Sequence, residues 1–205
     1  GIRDVAPSRG LEDVYKRQIK TLCKEFDNKL AVISGDYILA IAMEKLAKIE
    51  NIHILHKLSQ TIRQMCLGEI NQNFDRFKIG TIENYIEKTK NKTAYLFESS
   101  IVCSAMLSKK QHNFENITNL GLDIGIAFQI RDDIINMNKI DSSKPSNNDI
   151  KEGIFNAPII LGNKSDNYHS GIEKTKVLLN NYIESAENKI KILPNNVYKL
   201  SLIHI

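Results

Sequence analysis

Two adjacent carboxylates, Asp132 and Asp133, interrupt the otherwise apolar run Phe128-Gln129-Ile130-Arg131-Asp132-Asp133-Ile134-Ile135-Asn136. Burying such charges without partners is very costly, so their presence there asks for a purpose. On a helix, residues three and four apart are neighbours, which gathers Gln129, Asp132, Asp133 and Asn136 into one polar stripe. Magnesium takes oxygen ligands at ~2.0 to 2.1 Å, keeps several waters, and needs only one or two protein carboxylates beside substrate phosphates. The candidate metal ligands are therefore Asp132, Asp133 and Asn136, and the candidate ion is Mg2+. In isolation an Asp-Asp pair is more often a helix N-cap or a surface feature, so the reading needs support from elsewhere in the chain.

Two further groups offer it. Lys92-Thr93-Ala94 follows Lys88 and Lys90. Ammonium groups one turn apart suit a diphosphate, although a lysine run by itself is usually a solvated face. Lys144, with Pro145, Asp149 and Gly153 after it, places another cation in a segment of turn-forming residues, where the plain alternative is a surface turn. His53 and His56 have a metal-binding spacing but no evident third ligand, and surface or packing roles fit them better.

The elements that must position these groups read as helices. From about Lys29 to Asn138 apolar residues recur at three and four with few turn signals, which predicts an all-α fold. Leu39, Met43, Leu46 and Ala47 give one apolar face, and Leu55, Leu58, Ile62 and Met65 give another. Gly80 suits the end of one helix and Thr81 the N-cap of the next. A helix through Ala94, Phe97, Ile101 and Ala105 is followed by one near Ile117 to Met137 that is apolar on almost every side and should be central. Gly121 and Gly125 on it suggest close helix packing. A polar loop begins after Asn138. Helix resumes near Pro158 and again from Tyr168 to Leu193, with Leu178, Tyr182, Ile183 and Ala186 sharing a side.

At 205 residues one good core is the expectation, and 42% hydrophobic with 25% charged residues fits a globular chain. The net charge of +4 comes from scattered lysines, which argues against a nucleic-acid partner. Cys23, Cys66 and Cys103 show no metal or disulfide spacing, which suits reduced thiols packed as small hydrophobes in the cytosol or an organelle matrix. No apolar run approaches the ~20 residues of a membrane span, so membrane contact would be at most peripheral. Residues 1–18 lack helical period and read as a non-native or disordered leader, residues 19–200 as the helical domain, and residues 201–205 as a foreign tail.

Taken together, Asn28-Lys29, Gly35-Asp36-Tyr37, Gly68-Glu69, Lys92-Thr93-Ala94, Phe128-Gln129-x-x-Asp132-Asp133, Lys144-Pro145, and Asp149-Ile150-x-x-Gly153 with Ala157-Pro158 resemble the trans-isoprenyl diphosphate synthases, or polyprenyl synthases. The resemblance implies an isoprenoid synthase-type helical bundle that joins an allylic diphosphate to isopentenyl diphosphate. It makes Asp132 a direct magnesium ligand and Asp133 a partner through water. Lys92 and Lys144 would hold the diphosphate, with Thr93 and Gln129 adding hydrogen bonds. A cytoplasmic homodimer is implied as well.

Three departures qualify the match. Asn136 stands where the motif has a third aspartate. Ile154 stands where short-chain members often carry lysine, which leans towards long-chain synthases. The family's earlier Asp-Asp-x-x-Asp motif with paired arginines does not occur in residues 1–18, where Asp13 and Arg17 do not reproduce it. The chain therefore reads as N-terminally truncated, with little or no synthase activity of its own. The alternatives are a non-catalytic subunit of a heteromeric synthase and a terpene cyclase on the same scaffold.

Overall fold

The computed structural model describes residues 22–108, 111–138, 153–162 and 168–193. Lys144, Pro145, Asp149, Ile150, Asp13, Arg17, the expected leader and the expected tail lie outside them. Among the described residues every regular element is helical, as the periodicity predicts.

The chain divides into two compact units, residues 1–55 and 56–205. In the first, a short turn, α1 (Leu22–Glu25), precedes α2 (Asn28–Ala47). Asp27 starts α2: its Oδ1 accepts the Leu30 N–H at 2.6 Å, satisfying one of the donors that a helix start leaves free. No residue of α2 is buried. The apolar face expected from Leu39, Met43, Leu46 and Ala47 is thus not filled. Leu39 and Ala47 are exposed, and Met43 and Leu46 half-buried.

The second unit takes up α3 (Ile52–Phe74) from His56 onward and continues with α4 (Ile82–Thr89), a π-helical turn (Lys90–Ala94), α5 (Tyr95–Leu107), α6 (Phe114–Asn138), α7 (Ala157–Leu161) and α8 (Tyr168–Lys191). Thr81 caps α4 as its sequence suggests, its Oγ1 accepting the Asn84 N–H at 3.3 Å. Gly80 does not end a helix. α3 stops at Phe74 and the chain turns through Phe77, which takes the positive φ of 63° that glycine would have suited.

The central helix is α6, packed between α5 and α8. Leu120, Ile124, Ile126, Ile130 and Ile134 on it are buried. Leu120 and Ile124 meet Ala186 and Ile190 of α8. Ile117 meets Val102 and Ala105 of α5. The two glycines of α6 explain how α5 and the π turn come so close. A Cβ on Gly125 would lie 2.8 Å from Ala94 Cβ, and one on Gly121 would lie 3.1 Å from Glu98 Cβ, both well inside carbon contact distance.

On α8 the buried face runs through Leu178, Leu179, Tyr182, Ala186 and Ile190. Ile183, expected on it, is 39% exposed. The cysteine expectation holds for Cys103, which is buried, while Cys23 and Cys66 are exposed.

Candidate active site

The Lys-Thr-Ala motif does not sit on a uniform helix. Residues 90–94 form the π turn between α4 and α5, and such turns are frequent at functional positions. Ala94, at its end, is fully buried against Gly125 of α6. That contact seats Thr93 beside α6, where its hydroxyl donates to Gln129 Oε1 at 3.1 Å. Gln129 in turn donates through Nε2 to Asp133 Oδ1 at 3.0 Å, one helical turn on.

Asp133 is buried, and two more donors reach it. The Tyr85 hydroxyl of α4 donates to Oδ2 at 2.7 Å, and the Ala157 backbone N–H at the start of α7 donates as well. Burial pushes the Asp133 carboxyl up to about 6, against the pull of these donors and with a small addition from Asp132. Burial, followed by the Asp133 charge, holds the Tyr85 phenol well above its ordinary range.

Asp132 has the opposite surroundings. It is exposed, and its Oδ2 accepts from Asn136 Nδ2 at 3.2 Å. The single polar stripe expected from Gln129, Asp132, Asp133 and Asn136 therefore divides into two pairs, each spaced by four residues. One pair, Gln129 with Asp133, faces the interior. The other, Asp132 with Asn136, faces out. An aspartate at 136 would repel Asp132, whereas the asparagine amide bonds to it.

Lys92 is partly exposed, with Glu69 Oε1 at 3.0 Å and Gln72 Oε1 at 3.2 Å from its ammonium. This arrangement explains the Gly68-Glu69 pair, whose role the sequence left open. A Cβ on Gly68 would lie 3.0 Å from Asn91 Cβ, so the missing side chain lets α3 approach the π turn and puts Glu69 beside Lys92. Lys88 and Lys90 do not join a common cationic face: Lys88 pairs with Asp75 at 3.1 Å and Lys90 with Glu87 at 3.6 Å. Sequence reasoning missed Tyr85 and Gln72 as neighbours of the site, and quoted Glu69 only within the Gly68-Glu69 motif.

Among the described residues no three of His, Cys, Asp and Glu are gathered as for a fully protein-ligated metal. The exposed histidines His53 and His56 form no such group. Magnesium does not require one. A single exposed carboxylate, completed by waters and substrate phosphates, suits its chemistry, and Asp132 offers that. The residues present therefore fit magnesium as part of a shell that substrate completes.

The family model described as Polyprenyl synthetase matches residues 12–199. The chain belongs to the polyprenyl synthetase family. It is similar to a prenyl transferase of Cyanidium caldarium, at 32% identity over 95% of this chain and 69% of the relative. The heptaprenyl diphosphate synthase component 2 of Bacillus subtilis is 30% identical over 76% of this chain and 46% of its own length. The crystal structure of heptaprenyl diphosphate synthase from Staphylococcus aureus superposes with a TM-score of 0.82 at 25% identity, covering 96% of this chain and 73% of that one. The chain thus spans about half to two-thirds of the length of such curated relatives.

Proposed function

We propose that the chain is part of a magnesium-dependent polyprenyl diphosphate synthase, condensing an allylic diphosphate with isopentenyl diphosphate to give a longer polyprenyl diphosphate. The observation that carries this reading is the Thr93–Gln129 hydrogen bond, which ties the Lys-Thr-Ala turn to the helix bearing Asp132. A cationic donor and an oxygen ligand, the two groups a metal-diphosphate needs, are held in one framework by it.

Asp132 would hold the ion, with Asn136 orienting its carboxylate. Bound magnesium would neutralise charge on the departing diphosphate. Lys92 would add a point charge and Thr93 a hydroxyl, both positioned before reaction and so effective where negative charge grows. Lys144 enters the proposal on sequence alone, and so do the cytoplasmic or organelle-matrix location and the homodimer. Among the described residues no helix is long and apolar enough to cross a membrane.

Titration calorimetry of an allylic diphosphate onto the purified chain tests the reading. Binding is expected with Mg2+, absent with EDTA, and lost in Asp132→Ala. Binding indifferent to metal and to Asp132 would refute it. A second reading, a subunit of a heteromeric synthase, is favoured by the name of the Bacillus subtilis relative, which describes one component of a synthase. Light scattering on the purified chain separates a homodimer from a monomer awaiting a partner.

A further inference from the structure

Asp133 is gripped more thoroughly than a metal ligand needs to be. Three donors from three elements converge on it: the Tyr85 hydroxyl from α4, the Gln129 amide from α6, and the Ala157 N–H from α7. An ionised carboxylate has about four acceptor sites, so at most one remains. The Tyr85 hydroxyl is itself engaged twice, since the Thr89 hydroxyl bonds to it while it donates to Asp133. Tyr85, Thr89 and Asp133 are all buried.

These bonds close a ring. From Tyr85 the chain runs through Thr89 into the π turn, and Thr93 returns through Gln129 to the same Asp133 that Tyr85 holds. One continuous stretch, residues 85–93, thus takes hold of α6 at two points, at Asp133 Oδ2 through Tyr85 and at Gln129, which holds Asp133 Oδ1, through Thr93. A buried network in which each member is satisfied rigidifies what it joins. What it joins here is the segment carrying Lys92 and the helical turn from which Asp132 points outward.

We propose that Tyr85 is a positioning residue for the outward carboxylate: by holding Asp133 Oδ2 in the interior it keeps Asp133 out of the metal's coordination shell and fixes the turn that presents Asp132. This inference rests on the reading of Asp132 as the carboxylate that receives a metal-diphosphate. Tyr85 touches neither metal nor substrate and acts only through Asp133.

The test measures binding of Mn2+ with inorganic pyrophosphate to the full chain, by electron paramagnetic resonance of the free ion. Removing an outer partner of a metal ligand typically weakens binding about 10- to 100-fold, and Tyr85→Phe, one residue further removed because it acts through Asp133, is expected at the lower end, about 10-fold. Asp133→Asn should weaken binding similarly. The double variant should be no weaker than Asp133→Asn, because Tyr85 has no other route to the metal. Wild-type affinity in Tyr85→Phe, or losses that multiply in the double variant, would overturn the proposal while leaving the Asp132 reading intact. No Asp132-dependent binding by the wild type would overturn both. A readout without any change at Tyr85 guards against misfolding: the Tyr85 ring resonances should shift when Mg2+ and pyrophosphate are added to the wild type, and their silence would also refute the inference.

Discussion

Replacing Gly125 by alanine tests the contact on which the site's geometry depends. The added methyl would sit 2.8 Å from Ala94 Cβ and closer still to Ala94 Cα. Carbon atoms rest about 3.5 to 4.0 Å apart, so the π turn and α6 must separate by roughly 1 Å. Ala94 is fully buried and has no rotamer with which to yield, which forces the backbone to move. Overpacking of this kind costs about 1–3 kcal/mol, equivalent to roughly 2–12 °C in Tm for a chain of this size. The same displacement would stretch the Thr93–Gln129 bond from 3.1 Å to about 4 Å, beyond hydrogen-bonding range.

Gly125→Ala should therefore melt earlier and also bind Mn2+ with pyrophosphate more weakly. Gly35→Ala is the control. It replaces a glycine within a helix with nothing within 4 Å of the new methyl, and should be neutral or slightly stabilising. Differential scanning calorimetry of both variants decides the matter. If Gly125→Ala melts within a degree of the wild type, the close approach is not what holds the turn in place.

Two other perturbations follow from the same unit. Lys57 Nζ lies 2.6 Å from Glu98 Oε2, and Glu98 is almost wholly buried; Lys57→Met strands that carboxylate and should cost about 3–5 kcal/mol in urea unfolding at pH 7, most of it recovered by adding Glu98→Leu. For Asp133, the folded-state value of about 6 stands above the ordinary 3.8, so its contribution to stability is complete below about pH 4 and is lost as pH rises through 6, by up to about 3 kcal/mol. Asp133→Asn should remove that slope from a pH series of unfolding curves recorded in EDTA, and an unchanged slope would mean another group titrates there.

Much of this was legible because helical periodicity is local. The run of apolar residues around Asp132 and Asp133 identified the central helix, and Gly121 with Gly125 identified where another segment must come close. What the sequence could not supply was the direction of each side chain within a polar arc. Asp132 and Asp133 are chemically alike and adjacent, and only tertiary packing decides that one is surrounded by Tyr85, Gln129 and Ala157 while the other meets Asn136. The lysine run divides for a related reason. Lys88, Lys90 and Lys92 alternate in sequence, but Asp75, Glu87 and Glu69 each claim one of them. The unfilled face of α2 shows that amphipathic spacing predicts a helix without saying what covers it.

The π turn has a consequence for how this chain tolerates change. Each residue of a helix advances its neighbours by ~100°, so losing any one position between Lys90 and Ala94 would swing all of α5 around by that angle. Glu98 would turn away from Gly121 and Lys57, and Val102 and Ala105 would leave Ile117. The surplus residue acts as a phase shift between two stretches that each need their own bearing, the upstream one aimed at Asp133 and the downstream one at the core. Point substitutions in this turn test chemistry, whereas a one-residue deletion would put the two halves out of step.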